Sequence, residues 1–247
     1  MRVTRMMMGM PITIEVVGAT DQTLHDRAFA YLEAVDRRFS TYRSDSEISA
    51  INRGEIARDD YSPDMREVFS LAEQTYGESD GYFDIRRPDG TLDPSGIVKG
   101  WAIRNTANLL SEAGARNFFV DAGGDVQSAG LNPEGENWRA GIQDPFNPMQ
   151  FVKLVYPRGR GIATSGTYVR GHHIYDPHHP DTLIDDVVSL TVIGQDVLEA
   201  DRFATAAFAM GSDGINFIET LPGLEGYQID RAGIATMTSG FKALTQP

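Results

Sequence analysis

The chain has 247 residues, of which 41% are hydrophobic and 23% charged, enough apolar material to bury a substantial core. Its 22 basic and 35 acidic residues give a formal net charge of -13, which argues against nucleic-acid partners, since gripping a phosphate backbone needs clustered Lys and Arg. The absence of cysteine excludes disulfides, thiolate metal sites, iron–sulfur clusters and a cysteine nucleophile. An acidic protein can still hold a phosphate ligand if backbone N–H groups, a helix N-terminus or a bound cation supply local positive charge.

At the start of the chain, Gly9, Pro11 and Glu15 interrupt the apolar run that follows Arg2 and Arg5, so the sequence reads as lacking a signal peptide. No apolar run approaches the ~18 to 20 residues of a membrane span. The expectation is a cytoplasmic protein with no membrane anchor. Residues 11–17 suit a strand. Leu24, Ala28, Tyr31, Leu32, Val35 and Phe39 then recur at helical spacing behind a possible cap at Asp21. A second helix is expected from Ser62, with Pro63 in its first turn and Met65, Val68, Phe69, Ala72 and Tyr76 facing inward, ending at Gly77. The segments 39–52 and 77–90 read as loops holding aromatics. A third helix is expected over 97–113, closed by Gly114, followed by strand-like runs at 117–121, 138–142, 151–156, 161–164 and 187–193. An Ala- and Phe-rich helix from Leu198 to Met210, a short helix near 212–221 and two terminal strands complete the chain. Strands gathered in the second half favour an α+β fold, a single compact domain over residues 1–247 with a mixed, largely antiparallel sheet. The G-x-G-x-x-G fingerprint of a dinucleotide-binding strand–helix turn is absent.

Four segments carry chemical interest. Asp201 and Thr205 stand four apart, on one face of a predicted helix, and offer hard oxygen donors suited to Mg²⁺ or Ca²⁺. The same pair also fits an acidic residue facing the helix dipole and a Thr bonded back to a carbonyl. In 93–100, Asp93, Gly96, Lys99 and Gly100 surround a helix start whose N–H groups can receive an anion, or form an ordinary capped helix with a surface lysine. Gly123-Gly124 either lets the backbone approach a ligand or makes a tight hairpin. Finally, 162–182 packs Thr164, Ser165, Tyr168, Arg170 and four of the five histidines together. His178 and His179 read best as a solvated loop. His173, before Ile-Tyr-Asp-Pro, is placed to act as a general base or to make a structural hydrogen bond.

Taken in order, these segments resemble the FAD:protein FMN transferases, the ApbE-type flavin transferases. The resemblance rests on Met8-Gly9, on Phe39–Tyr42 leading to Ser46-Glu47-Ile48, and on Gly81-Tyr82-Phe83-Asp84. It continues through Asp93-Pro94-Ser95-Gly96-Ile97-Val98-Lys99-Gly100, Val120 to Asp125, and Trp138, Gly141, Ile142, Asp144 and Pro145. Ala163-Thr164-Ser165-Gly166, His173-Ile174-Tyr175-Asp176-Pro177 and Ala200-Asp201-Arg202-Phe203-Ala204-Thr205 complete it. It implies Mg²⁺ held by the Gly96 carbonyl, Asp201 and Thr205. It also implies FAD as substrate, contacted near Met8, Tyr42, Tyr82, Phe83, Asp84, Asp93, Lys99, Ser165, Ile174 and Tyr175. The implied reaction moves FMN from FAD to a Thr or Ser hydroxyl of an acceptor flavoprotein and releases AMP, with Asp201 and His173 as catalytic groups.

The chain departs from the family pattern at Thr167 and Val169 beside Tyr168, at His178-His179-Pro180 after Asp176-Pro177, and at Ile85-Arg86 after Asp84. These differences touch acceptor and flavin contacts and spare the metal residues. Hydrolysis of FAD to FMN and AMP, and FAD binding without turnover, are the alternatives the sequence leaves open.

Overall fold

The computed structural model describes residues 1–167 and 174–247. Its frame is an eight-stranded, wholly antiparallel sheet in the order β1-β2-β3-β4-β7-β8-β9-β10. The strands are β1 (Arg2–Met7), β2 (Met10–Val16), β3 (Phe118–Ala122), β4 (Asp125–Ala129), β7 (Gly161–Gly166), β8 (Val187–Gly194), β9 (Glu225–Asp230) and β10 (Ala235–Met237). A separate hairpin, β5 (Ala140–Gln143) with β6 (Phe151–Val155), is inserted between β4 and β7. The expected α+β architecture is therefore present.

The helices of the described residues are α1 (Thr23–Phe39), α2 (Glu47–Asn52), α3 (Pro63–Glu78), α4 (Ser95–Glu112), α5 (Val197–Ala209) and α6 (Gly214–Thr220). α3 starts where Ser62 accepts a hydrogen bond from the Met65 N–H, with Pro63 in the first turn, the pairing that caps an N-terminus. α4 gives way to Gly114 at φ +91°, a left-handed turn that glycine adopts without strain. No described helix is long and apolar enough to cross a membrane.

Strand alternation sorts the core onto two faces of the sheet. Ala163 and Val192 face α5, whereas their neighbours Ile162 and Ile193 face Ile142 and Val155 of the inserted hairpin together with Phe241 and Leu244 of a C-terminal 3₁₀ turn. On the helical side, Trp101, Phe29, Leu32 and Ile97 join β2 and β3 in the largest apolar cluster. Small residues on α5 (Ala200, Ala204, Ala207) let it lie close against the sheet.

Some expectations need correction. β1 and β4 were not separate strands in the sequence reading, and α2 lies within the segment 39–52 expected to be a loop. β1 is an edge strand with mostly exposed residues, so no apolar alternation marks it. α2 is a single turn and a half held by the Ser46 cap and two buried isoleucines, Ile48 and Ile51. The α1 cap position is Gln22; Asp21 contributes by accepting from the Thr23 N–H at 2.9 Å. Tyr76, expected inward, is 37% exposed, and its ring carries the Arg86 guanidinium at 4.8 Å.

One ladder position sets up the site. β4 and β7 pair only at Val126↔Ile162 and Gln127↔Gly161. Beyond them, where Asp125 and Ala163 would pair next, the Thr164 N–H donates to the Asp125 Oδ1 carboxylate oxygen at 3.0 Å instead. The two strands part there, and the sheet opens toward the ends of α4 and α5.

Candidate active site

Two tight hairpins form one rim of this opening. Met8-Gly9 joins β1 to β2 with φ of 52° and 74°, and Gly123-Gly124 joins β3 to β4 with φ of 63° and 99°. Positive φ at both central residues is the type I′ conformation, one of the two that two-residue hairpins favour. Both readings of Gly123-Gly124 thus hold at once: the pair makes a hairpin, fixed by the Gly124 N–H donating to Asp121 at 2.9 Å, and it also lines the cavity.

The cavity has a volume of about 1110 Å³, at the upper end for sites that take cofactor-sized ligands. Its floor is built by α4 and α5. Helical spacing puts Asp201 and Thr205 on the same face of α5, as the sequence predicts. Glycine at position 100 brings α4 against that face: a Cβ there would sit 2.7 Å from the Asp201 Cβ and 2.9 Å from the Val197 carbonyl oxygen. The Gly100 N–H donates to Asp201 Oδ2 at 2.7 Å. In an uninterrupted α-helix that N–H serves the carbonyl four residues back, at Gly96. A carbonyl oxygen has a second lone pair beyond the one a helix bond uses, and the Thr205 hydroxyl stands 3.5 Å from the Gly96 oxygen.

The charges around Asp201 are close and dry. Lys99 Nζ lies 2.5 Å from Asp125 Oδ2 and 3.6 Å from Asp201 Oδ1. Asp201 is 3% exposed and Asp125 1%. Burial pushes the Asp201 carboxyl up to about 7, with the neighbouring Asp125 charge adding to the rise, while Lys99 and the Gly100 N–H hold it down. Among the described residues, Lys99 pairs with both buried carboxylates.

This donor set fits a small, hard cation. A carboxylate, a hydroxyl and a backbone carbonyl converge, and the remaining positions open onto the cavity. Mg²⁺ characteristically takes few protein oxygens and completes its shell with water and substrate phosphates. Among the described residues no cluster of three His, Asp or Glu side chains forms an alternative metal centre. Gly100→Ala is expected to destabilise the protein by about 2 kcal/mol and to disrupt this donor set, because the added methyl must push α5 away. Thermal unfolding and a cation titration of the variant check both effects.

Most residues singled out from the sequence meet at this cavity. Tyr82, Phe83, Asp84, Asp93, Gly96, Lys99, Ser165, Ile174, Tyr175, Asp201 and Thr205 all line it. Phe83 is clamped beneath Gly96, whose Cβ would lie 3.2 Å from its ring. Asp93 accepts from the Ser95 N–H at 3.0 Å and pairs with Arg87. Asn52 bonds both backbone groups of Leu92, at 2.8 and 3.0 Å, and so ties down the approach to α4.

Two of the sequence-predicted residues do not join the lining. Met8 packs against the apolar core from its hairpin, leaving Gly9 and Met10 at the cavity. Tyr42 projects from the turn before α2 and is 98% exposed. His173, with Tyr168, Val169, Arg170 and His172, lies outside the described residues. His178 and His179 diverge, as expected of a solvated turn. His178 packs on Tyr82 with ring centroids 4.5 Å apart and bonds the Asp80 carbonyl at 2.9 Å, while His179 faces Asp176.

The sequence reading missed Arg87, Asp121 and Phe151 as lining residues. It also gave Asp125 no role of its own; the signal available was an acidic residue directly after Gly-Gly.

Residues 8–87 and 86–228 match the ApbE family. The chain belongs to the ApbE family. Among proteins similar in sequence, a FAD:protein FMN transferase of Escherichia coli K12 is 33% identical over 62% of this chain and 46% of its own length, and one of Haemophilus influenzae is 25% identical over 93% of this chain and 86% of its own. The chain spans about half the length of the Klebsiella pneumoniae and Escherichia coli relatives it matches, 47% and 46%. In three dimensions it resembles the flavin transferase ApbE from Vibrio cholerae, with a TM-score of 0.87 and 26% identity over 99% of this chain and 98% of that one. The ApbE protein of Thermotoga maritima shares the fold, with a TM-score of 0.87 at 21% identity.

Proposed function

We propose that this ApbE-family chain transfers FMN from FAD to a Ser or Thr hydroxyl of an acceptor protein, with Mg²⁺ at Gly96, Asp201 and Thr205. The observation that carries the reading is the convergence of those three oxygen donors with Lys99 at the floor of a cavity large enough for a dinucleotide. The relatives named as FAD:protein FMN transferases support it.

In this reading the acceptor oxygen attacks the FMN phosphorus, the P–O–P anhydride bond breaks, and AMP leaves with the bridging oxygen. Bound at this floor, Mg²⁺ would neutralise charge on the pyrophosphate. The protein's own groups position and polarise. Lys99, steadied by Asp125, presents an ammonium to the phosphates. Tyr82, Phe83, Ile174 and Tyr175 give an aromatic and apolar wall for the isoalloxazine ring. The two glycine hairpins let the backbone approach the nucleotide. His173 is the proposed acceptor of the hydroxyl proton, on the strength of the sequence alone.

The deciding experiment incubates the protein with FAD and Mg²⁺, with and without a peptide bearing a Thr in a Ser/Thr-rich segment. AMP is followed by chromatography and attached flavin by mass spectrometry. Peptide-dependent attachment, abolished by a chelator and reduced about tenfold in turnover at subsaturating Mg²⁺ by Thr205→Val, is the expected result. AMP release without attachment assigns the hydrolase instead, and tight FAD binding with neither product assigns a binding protein.

A further inference from the structure

The hairpin β5–β6 has two unlike faces. Ile142 and Val155 turn into the core on the sheet, 2% and 0% exposed. The pairing Gly141↔Leu154 and Gln143↔Phe151, with a bulge between Ile142 and Gln143, puts Phe151 and Leu154 on the opposite face. The Phe151 ring lies over Gly141, where a Cβ would approach it to 2.5 Å.

That face is apolar and exposed. Phe151 and Leu154 on it are 65% and 47% exposed, and Phe146 and Met149, in the turn that joins the two strands, are 58% and 90% exposed, so large apolar side chains crowd into residues 146–154. Monomeric surfaces rarely leave such a group of large apolar side chains together without a partner. Gly141, Gln143 and Phe151 also line the cavity, so the patch runs without interruption into the site.

Charge sets the hairpin apart too. Between 139 and 160 the chain has Arg139, Lys153, Arg158 and Arg160 against Asp144, after Glu134 and Glu136, whereas the whole chain has 22 basic and 35 acidic residues. Lys153 lies over the Tyr227 ring on the core side and Arg158 donates to the Gln246 and Pro247 carbonyls, which leaves Arg139 and Arg160 as the cations for a partner. Arg139 itself lines the cavity. An acidic partner is repelled by most of this molecule and attracted here.

We propose that the β5–β6 hairpin is the docking surface for the acceptor protein, and that it takes a hydroxyl-bearing segment flanked by acidic and apolar residues. The proposal rests on the transferase reading above and extends it. A hydroxyl on a folded partner must enter a cavity already holding FAD, and this wall joins the site to an unpartnered apolar surface. Apolar anchors on the segment cover Phe146, Met149 and Leu154, while its acidic groups meet Arg139 and Arg160.

The test uses two 20-residue peptides with a central Thr, one flanked by Asp and Leu and one by Lys and Leu. They are assayed for FMN attachment with the wild-type protein and with Phe146→Ser/Met149→Ser, a pair outside the cavity lining. The Asp-flanked peptide is expected to show a KM about tenfold below the Lys-flanked one. The double variant is expected to raise the Asp-flanked KM about tenfold, leaving the FAD dissociation constant and the sedimentation coefficient unchanged. An unchanged peptide KM in an active variant overturns the docking surface alone. A parallel loss of FAD affinity makes the hairpin part of the FAD site, and a wild-type dimer split by the substitution makes it a self-association surface; either overturns the proposal. No attachment to any peptide by the wild-type protein, with FAD bound, refutes the transferase reading and the docking surface with it.

Discussion

In the proposed transferase, Asp201→Asn is expected to lower FAD turnover by ~10²- to 10³-fold, the loss typical when a charge-stabilising group is removed, and yet to make the cation-free protein more stable at pH 8. Both effects come from one buried carboxylate. Its folded value of about 7 lies above the ordinary value of 3.8, so between these the folded state holds a proton that the unfolded state has released. Stability from this group is therefore fully present below pH ~4 and is lost as pH rises to 7. At 1.36 kcal/mol per unit the loss totals ~4 kcal/mol, of which ~3 kcal/mol falls between pH 5 and 8. Asparagine keeps an acceptor for the Gly100 N–H and removes the titration. Urea unfolding of wild-type and variant at pH 5 and pH 8, without divalent cation, isolates the term as the difference between the two proteins. Mg²⁺ should restore the wild-type protein at pH 8 and do little for the variant. Parallel pH dependence in both proteins would remove Asp201 as the source.

The parts of this site that could be read from the sequence share a local cause. Asp201 and Thr205 fall on one face because a helix repeats every 3.6 residues, and the α5 pattern that predicts the helix is strong. The capping of α3 by Ser62 and the hairpin at Gly123-Gly124 are likewise written within a few residues. What escaped is set by long-range pairing. Nothing near Asp125 announces that β4 and β7 part beside it, because the departure depends on a ladder between residues 36 apart in sequence. The packing of Gly100 against Asp201 joins residues 101 apart, and only the assembled helices reveal why glycine is needed there. Tyr42 illustrates the opposite case: it matched the family pattern in sequence, yet its turn points it into solvent. The exposed face of β5–β6 was invisible for a related reason, since residues 151–156 read as a strand whichever side faces the core.

Lys99→Met removes the ammonium that, among the described residues, pairs with both buried carboxylates, and the expected result is a protein destabilised by ~3–5 kcal/mol at pH 8, the range for leaving a buried charge unpaired. Asp125 stays 1% exposed with its Oδ1 tied to the Thr164 N–H, so it cannot turn out to water without breaking the link that spans the gap between β4 and β7. The protein then has two ways to recover, and they separate the lysine's structural part from its phosphate-binding part. Acidification to pH 5 lets a proton neutralise Asp201, whose carboxyl rises further once the ammonium is gone, so the stability deficit shrinks as pH falls. Adding Asp125→Asn removes the second charge, and the double variant is expected to regain most of the lost stability at pH 8. In the proposed transferase neither route restores a positive charge beside the FAD phosphates, so FAD affinity should stay weakened in the stable double variant. Denaturant unfolding at the two pH values, paired with FAD titration by fluorescence, reads both quantities. If the double variant recovers stability and FAD affinity together, Lys99 serves only to neutralise the carboxylates. Recovery of stability alone means that this ammonium, held at 2.5 Å by Asp125, also binds the substrate.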